Sequence, residues 1–246
     1  MFNVSGAIYS KFPKFNQSPK FIQNIVINFL QNLFHEQDYN NIYKKNHFVR
    51  GNEYVSSMLR NLNIEYTVKP NELLNIPSEG SLIVIANHIT GASDAFSLVE
   101  LIANHRENKK VRLLVNSMLI GVKQASDIII PVDNITGAIT KSSLDSVYKA
   151  LGNGEVVVIF PAGIVSRLSL KGIKDFEWKP SFLKIAKKTS TPILPVKIDG
   201  RNSILFYFVS MILPKKISGL MLPREFAIAD KLKTLHLSIG KVIPVS

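Results

Sequence analysis

From residue 65 onward the chain keeps returning to short β-rich runs: EYTVK, SLIVIA, VRLLV, DIIIPV, EVVVIF, PILPVKI and LHLSIG. Helical patterns near 94–105, 140–151 and 180–188 fall between them. Strands alternating with helices predict an α/β domain with a largely parallel central sheet flanked by helices. In such sheets, sites gather beyond the carboxyl ends of the strands, so the residues directly after each apolar run are the ones to inspect. At 246 residues, 46% of them hydrophobic, the chain is long enough to build one such domain around a substantial core.

Upstream the texture differs. Ser18-Pro19 reads as an N-cap followed by Pro in the first turn, and Phe21, Ile22, Ile25, Val26, Phe29, Leu30, Leu33 and Phe34 repeat at helical spacing. The opposite face is Gln and Asn. Two readings are open for this helix, packing on the following domain or docking on a membrane surface. A second helix is expected over about 51 to 62. Residues 1–64 therefore read as a helical appendage, either packed on the domain or membrane-associating, and 65–246 as the main domain, with no internal repeat or low-complexity linker.

The chain has no Cys, which excludes disulfides, cysteine nucleophiles and thiolate metal sites. Apart from His88, the histidines (35, 47, 105 and 236) lack metal-ligand spacing, so neither a metal nor a cofactor is expected. An excess of Lys+Arg (30) over Asp+Glu (18) gives +12, which attracts nucleic acid, anionic lipid or an acidic carrier protein. Nucleic acid is disfavoured, because no aromatic-interleaved basic motif or groove-reading helix is present. The start, MFNVSGAIYSKFPKF, lacks the apolar core of a signal peptide. No run reaches the roughly 18 apolar residues that cross a bilayer, and the expected location is the cytoplasmic face of a membrane, peripherally bound.

Two strand ends carry the chemistry. In VIANHITGASDAFSL, His88 sits where a strand stops and Asp94 where the next helix opens. A His held by an Asp is a general base, although such a pair also occurs as a purely structural contact. In VVVIFPAGIVSR, a Pro161-Ala162-Gly163 turn follows a strand and Arg167 lies four residues beyond Gly163. That pattern suits an anionic group beside exposed backbone amides, or it is an ordinary turn. Lys171, Lys174 and Lys179 extend the basic surface around Trp178, which is either packed under a loop or an interfacial anchor. ILFYFVSMIL, 204–213, is too short to span a membrane and suits a buried helix or one leaning into headgroups.

Together these stretches resemble the glycerophospholipid acyltransferase superfamily, of which 1-acylglycerol-3-phosphate acyltransferase is typical, and within it the hemolysin-like or lysophospholipid acyltransferase-like bacterial branch. NHITGASD stands for the first block, with five residues between His88 and Asp94 in place of four, and FPAGIVSR for the block Phe-Pro-Glu-Gly-Thr-Arg. The resemblance runs on through GIKDFEWKPSFLKIAKKTSTPILPVKIDGRNSILFY to LSIGKVIPV, over about 65 to 245. It implies transfer of a fatty acyl group from acyl carrier protein or coenzyme A to a lysolipid hydroxyl, either lysophosphatidate or a lyso-aminolipid carrying ornithine or glycine. His88 would take the hydroxyl proton and Asp94 would hold its ring. Amides near Gly163 would meet the oxyanion, and Arg167 would bind the acceptor's anion, with Pro161, Lys123 and Asn134 also on the substrate. Three departures stand out: the longer His–Asp loop, suited to Gly91; Ala162 where the block has Glu; and Asn134 where the second block ends in Arg. A catalytically inactive relative that binds lipid or carrier is the alternative, and the intact His88 and Asp94 speak against it.

Overall fold

In the computed structural model, residues 3–116, 123–132, 140–169, 172–212, 218–228 and 233–245 are described. The central strands arise from apolar runs: β1 (Ile64–Val68), β2 (Leu82–Ala86), β3 (Val111–Asn116), β4 (Ile129–Val132), β5 (Val156–Ile159), β8 (Ile193–Asp199) and β9 (Lys233–Ile239). They form one seven-stranded sheet in the order β1-β9-β8-β2-β5-β3-β4. Every neighbouring pair is parallel except β8 with β9. The architecture is thus the expected α/β one with a mostly parallel sheet.

Position in the sheet follows composition. β2 lies between β5 and β8, pairing Val84 with both Val158 and Leu194, and all five of its residues are buried. A strand covered on both faces needs such an unbroken apolar run. β9 instead alternates, with Leu235, Leu237 and Ile239 inward and Thr234 and His236 exposed, so one of its faces meets water. β4 carries Pro131 and is an edge strand, where a missing N–H does not break a ladder.

Helices cover the sheet where their apolar faces demand it. α4 (Gly51–Asn61) buries Tyr54, Val55, Met58 and Leu59 in the largest core cluster, together with α6 (Ala92–Asn104) and one face of β2 and β5. The opposite face is covered by α7 (Lys141–Gly152) and α8 (Ser181–Thr189). A third cluster joins α1 (Val4–Lys11) and α2 (Lys20–Leu33) to α9 (Ile204–Ile212) through Val4, Ile8, Ile27, Phe34, Phe206 and Tyr207. The two expected N-terminal helices therefore do different jobs. α4 is part of the main core, whereas α2 begins one residue later than Ser18-Pro19 suggested and buries only part of its apolar stripe. Phe21, Ile25 and Phe29 stay 65%, 65% and 63% exposed. Short helices α3 (Glu36–Lys45), α5 (Pro70–Leu73) and α10 (Leu222–Ala227) complete the shell.

One element departs from the expected outline. Between β5 and α8 the chain forms an antiparallel hairpin of β6 (Arg167–Ser169) and β7 (Gly172–Lys174), pairing Arg167 with Lys174. Its strands are short and largely exposed, which leaves no apolar period in the sequence to announce them.

Candidate active site

The carboxyl ends of β2, β5 and β8 meet at one place on the sheet. Asn87 prolongs the β2–β8 ladder with its side chain: Nδ2 donates to the Ile198 carbonyl at 2.8 Å and Oδ1 accepts from the Ile198 N–H at 2.7 Å. This fixes the strand end immediately before His88. The His88 ring stacks on Phe160, the residue after β5, with centroids 4.1 Å apart and planes at 27°.

His88 Nδ1 lies 3.2 Å from Asp94 Oδ2. Asp94 is fully buried at the first turn of α6. Its Oδ2 also accepts from the amides of Ile89 (2.6 Å), Thr90 (2.7 Å) and Gly91 (3.2 Å), and its Oδ1 from the Thr90 hydroxyl at 2.5 Å. A carboxylate can only accept, so the proton shared with the ring belongs on Nδ1 and the lone pair is left on Nε2. The dyad thus presents a base whose tautomer is set by a carboxylate that is itself held by four other donors. The longer loop is absorbed by curling its amides onto that carboxylate. Gly91 makes the bend at φ 85°, a conformation that a side chain resists.

The second block forms a tight turn in which the Gly163 N–H donates to the Phe160 carbonyl at 2.9 Å. Gly163 takes φ 70° there. Its own amide is committed to the turn, so an oxyanion donor from this segment has to come from a neighbouring amide. Pro161 is buried and its carbonyl accepts from the Lys179 N–H at 3.1 Å. Ala162 is buried as well.

Arg167 starts the hairpin and turns toward α9. Its guanidinium lies over the Phe206 ring, 4.8 Å from the centroid, and Nη1 donates to the carbonyls of Val165 (2.8 Å) and Ser166 (3.3 Å). Nη2 reaches the Ser218 hydroxyl at 3.4 Å, and Nε has no partner among the described residues. Burial draws the Arg167 pKa down from the ordinary arginine value, and Tyr207 opposes the fall. Burial raises the Tyr207 phenol, with Asp94 and Glu225 adding to the rise while the Asn202 amide and Arg167 oppose it. Ser166, directly before Arg167, donates its N–H to the His88 carbonyl at 2.6 Å, which brings the start of the hairpin next to the dyad.

The structure does not gather every residue of the sequence-derived set. Lys123 is exposed on a 3-10 turn (Lys123–Ala125) and makes no hydrogen bond or ion pair with the dyad or the 160–167 segment among the described residues. Asn134 and Lys171 lie outside the described residues. Conversely, Asn202 acquires a part that its sequence context did not reveal. Its Nδ2 donates to the Ile89 carbonyl at 3.0 Å, bracing the His88–Asp94 loop, and its N–H donates to the Tyr207 hydroxyl at 3.1 Å. Ser203 beside it is held by the buried Glu225 carboxylate. The sequence offered only a resemblance of Asn202-Ser203 to a motif of the same bacterial branch, three residues past β8, with no chemical role attached to it. Trp178 packs edge-on against Phe182 and donates Nε1–H to Asp175 at 2.9 Å.

A buried Asp and a partly buried His at the carboxyl end of a central strand, beside a turn and a guanidinium, form an arrangement that can serve as a general base toward a hydroxyl. Comparison with known proteins gives the same class. A family model described as Acyltransferase matches residues 12–232. The chain belongs to the glycerophospholipid acyltransferase superfamily and is an acyltransferase. Among its relatives is the lyso-glycine lipid O-acyltransferase of Phocaeicola vulgatus, 29% identical over 92% of this chain and 81% of the relative. The protein of the same name from Bacteroides thetaiotaomicron is 27% identical over 99% and 89%. The solved 1-acyl-sn-glycerophosphate (LPA) acyltransferase, PlsC, of Thermotoga maritima aligns over 92% of this chain and 88% of its own, at 16% identity and a TM-score of 0.43.

Proposed function

We propose that the protein transfers a fatty acyl group from an acyl thioester, on acyl carrier protein or coenzyme A, to the hydroxyl of a lysolipid that carries an anion. The observation that carries this reading is the dyad, with Nδ1 of His88 directed at the buried Asp94 and Nε2 left to accept a proton. His88 takes the acceptor proton as the oxygen attacks the thioester carbonyl, and Asp94 stabilises the imidazolium. The thiol leaves as the tetrahedral intermediate collapses, taking a proton back from His88. A backbone amide next to Gly163 meets the oxyanion. Arg167 receives the acceptor's carboxylate or phosphate with its planar pair of donors. The two lyso-glycine lipid relatives favour a lyso-aminolipid ending in a carboxylate over lysophosphatidate.

The membrane side of the same reading rests on exposed apolar rows. Phe21, Ile25 and Phe29 of α2, and Ile204, Phe208, Met211 and Ile212 of α9, are all at least 60% exposed, on helices that share one packing cluster. A membrane surface would cover both rows and deliver a lipid acceptor beside Arg167, with the +12 charge adding attraction to anionic headgroups. No helix among the described residues is long and apolar enough to cross a bilayer.

The decisive assay incubates purified protein with labelled acyl-carrier protein or acyl-coenzyme A and a panel of lyso-glycine lipid, lyso-ornithine lipid and lysophosphatidate, followed by mass analysis. A diacylated product names the acceptor. Absence of product from every combination, with lipid binding retained, would support the inactive-relative reading instead.

A further inference from the structure

We propose that Asp175 is a positioning residue for transfer, acting through the main chain of His88; this rests on the reading of His88 as the general base. Its carboxylate accepts from the His88 N–H at 3.1 Å (Oδ1) and 3.3 Å (Oδ2). Trp178 Nε1–H donates to Oδ2 at 2.9 Å, and the Ser166 hydroxyl donates to Oδ1. Ser166 also donates its own N–H to the His88 carbonyl at 2.6 Å, with its hydroxyl 2.9 Å from the same oxygen. A hydroxyl has one proton to give. The carbonyl is already served by the Ser166 amide, so that proton goes to Asp175.

The consequence is a clamp on one peptide unit. The parallel ladder between β2 and β8 ends at the pairing of Ala86 with Val196, and Asn87 continues it by its side chain. His88 is therefore the first residue past β2 that no strand partner fixes, and it carries the imidazole. Asp175 and Ser166 take over from the ladder, holding the His88 N–H and C=O from the segment that also carries Arg167. Catalytic geometry has to be held to within about 0.5 Å and 10–20°. A ring whose backbone is free to rotate loses its alignment to Asp94 on one side and to the attacking hydroxyl on the other. The carboxylate suits this task because both oxygens only accept, and among the described residues it forms no ion pair that would draw it away. Trp178, braced against Phe182, orients the carboxylate in turn.

The test measures kcat and both KM values for wild type, Asp175→Ala, Asp175→Asn, Trp178→Phe and His88→Ala, using the best lysolipid of the panel, with melting temperatures as the folding check. Asn can keep its amide oxygen toward His88 and Trp178 and turn its NH2 to Ser166, whose hydroxyl reverses to accept. The expected result is a kcat loss of roughly tenfold to a hundredfold in Asp175→Ala, KM values within about twofold, and recovery of most of kcat in Asp175→Asn. Trp178→Phe should show a smaller loss of kcat in the same direction. A folded Asp175→Ala protein with wild-type kcat overturns the proposal, as does a change confined to a KM. Asn no better than Ala also overturns it, since charge rather than the clamp would then be required. Should the Ala variant not fold, an unchanged kcat in Trp178→Phe decides against it. His88→Ala separates the two layers: an active His88→Ala protein removes the general-base reading itself, whereas an inactive one beside a fully active Asp175→Ala removes only the clamp.

Discussion

Asp94→Asn tests the dyad because it removes a charge and keeps the shape. The buried carboxylate meets His88 Nδ1 and three amides on Oδ2, and the Thr90 hydroxyl on Oδ1. An Asn fits with its amide oxygen in the Oδ2 place and its NH2 toward Thr90, whose hydroxyl turns round to accept. The loop therefore stays folded. What disappears is the negative charge 3.2 Å from the ring that, in the proposed mechanism, gains a proton during attack. At an effective dielectric constant near 20, Coulomb attraction at that separation is about 5 kcal/mol. Solvent reaches the His88 side chain, which is 17% exposed, so about 3–5 kcal/mol is the reasonable range and corresponds to roughly a hundredfold to several-thousandfold in kcat.

The assay is kcat at saturating donor and acceptor, on protein whose melting temperature matches wild type. His88→Ala should lose on the order of a hundredfold to ten-thousandfold. The double variant should be no slower than His88→Ala alone, because Asp94 works only through the ring. Two results would refute the reasoning: an Asp94→Asn protein within about threefold of wild type, or a double variant whose losses multiply.

Arg167→Lys should raise the lysolipid KM at saturating donor if the contact is equal in ground and transition states, or lower kcat if it tightens during attack; a defect seen only in the donor titration would assign Arg167 to the carrier surface. Replacing Phe21, Ile25 and Phe29 together by Ser should weaken co-sedimentation with anionic liposomes by roughly a hundredfold, at about 1 kcal/mol per side chain inserted from its exposed position, and unchanged sedimentation would make α2 a packing helix only. Substitution is the right perturbation here, because a cut at residue 64 would also strip buried Val55, Met58 and Leu59 from the main core. Burial, with Tyr43 adding, pushes the Tyr39 phenol up to about 12, against about 10 in an unfolded chain. The folded state thus favours the neutral phenol, and that stability, up to about 2–3 kcal/mol, is complete below pH 10 and lost as pH rises toward 12. Tyr54 and Tyr66 are raised in the same sense, so denaturant midpoints and tyrosinate absorbance should fall and rise together across that window, and a midpoint flat through it would count against these burials.

What was legible in the sequence is what burial on both sides of a sheet imposes locally. LIVIA and VVVI announce strands because every residue of each is covered, and His88 and Asp94 announce a site because both lie within one strand-to-helix junction. The supports were not legible, since each depends on contacts far apart in the chain. Asp175 meets His88 across 87 positions and Asn202 meets Ile89 across 113. DFEWK and RNSIL fall within the family resemblance, but nothing in their composition or spacing assigns Asp175 or Asn202 a partner before the fold brings them together. The β6–β7 hairpin escaped for a related reason: RLS and GIK are short and exposed, and their pairing is defined by the neighbours of Arg167 rather than by an apolar period.

The departures in the second and third blocks bear on the acceptor. Ala162 is 6% exposed at the turn after β5, where a carboxylate would have to be desolvated and given donors of its own. With Ala there, the turn presents no side-chain oxygen to the acceptor, and its role reduces to shape and backbone amides. On the proposed reading, selectivity for the anionic end then falls to Arg167, whose Nη1 is braced by two carbonyls of its own strand entry and whose charge lies over Phe206. A guanidinium fixed in plane by such contacts offers its remaining donors in a set direction, which suits a two-oxygen carboxylate. On this argument the ratio of turnover for lyso-glycine lipid to that for lysophosphatidate should fall in Arg167→Lys even where total activity survives, because an ammonium binds either anion as a point charge. Parallel titrations of the two lipids measure that ratio, and a ratio unchanged by the substitution would place acceptor choice in some other part of the site.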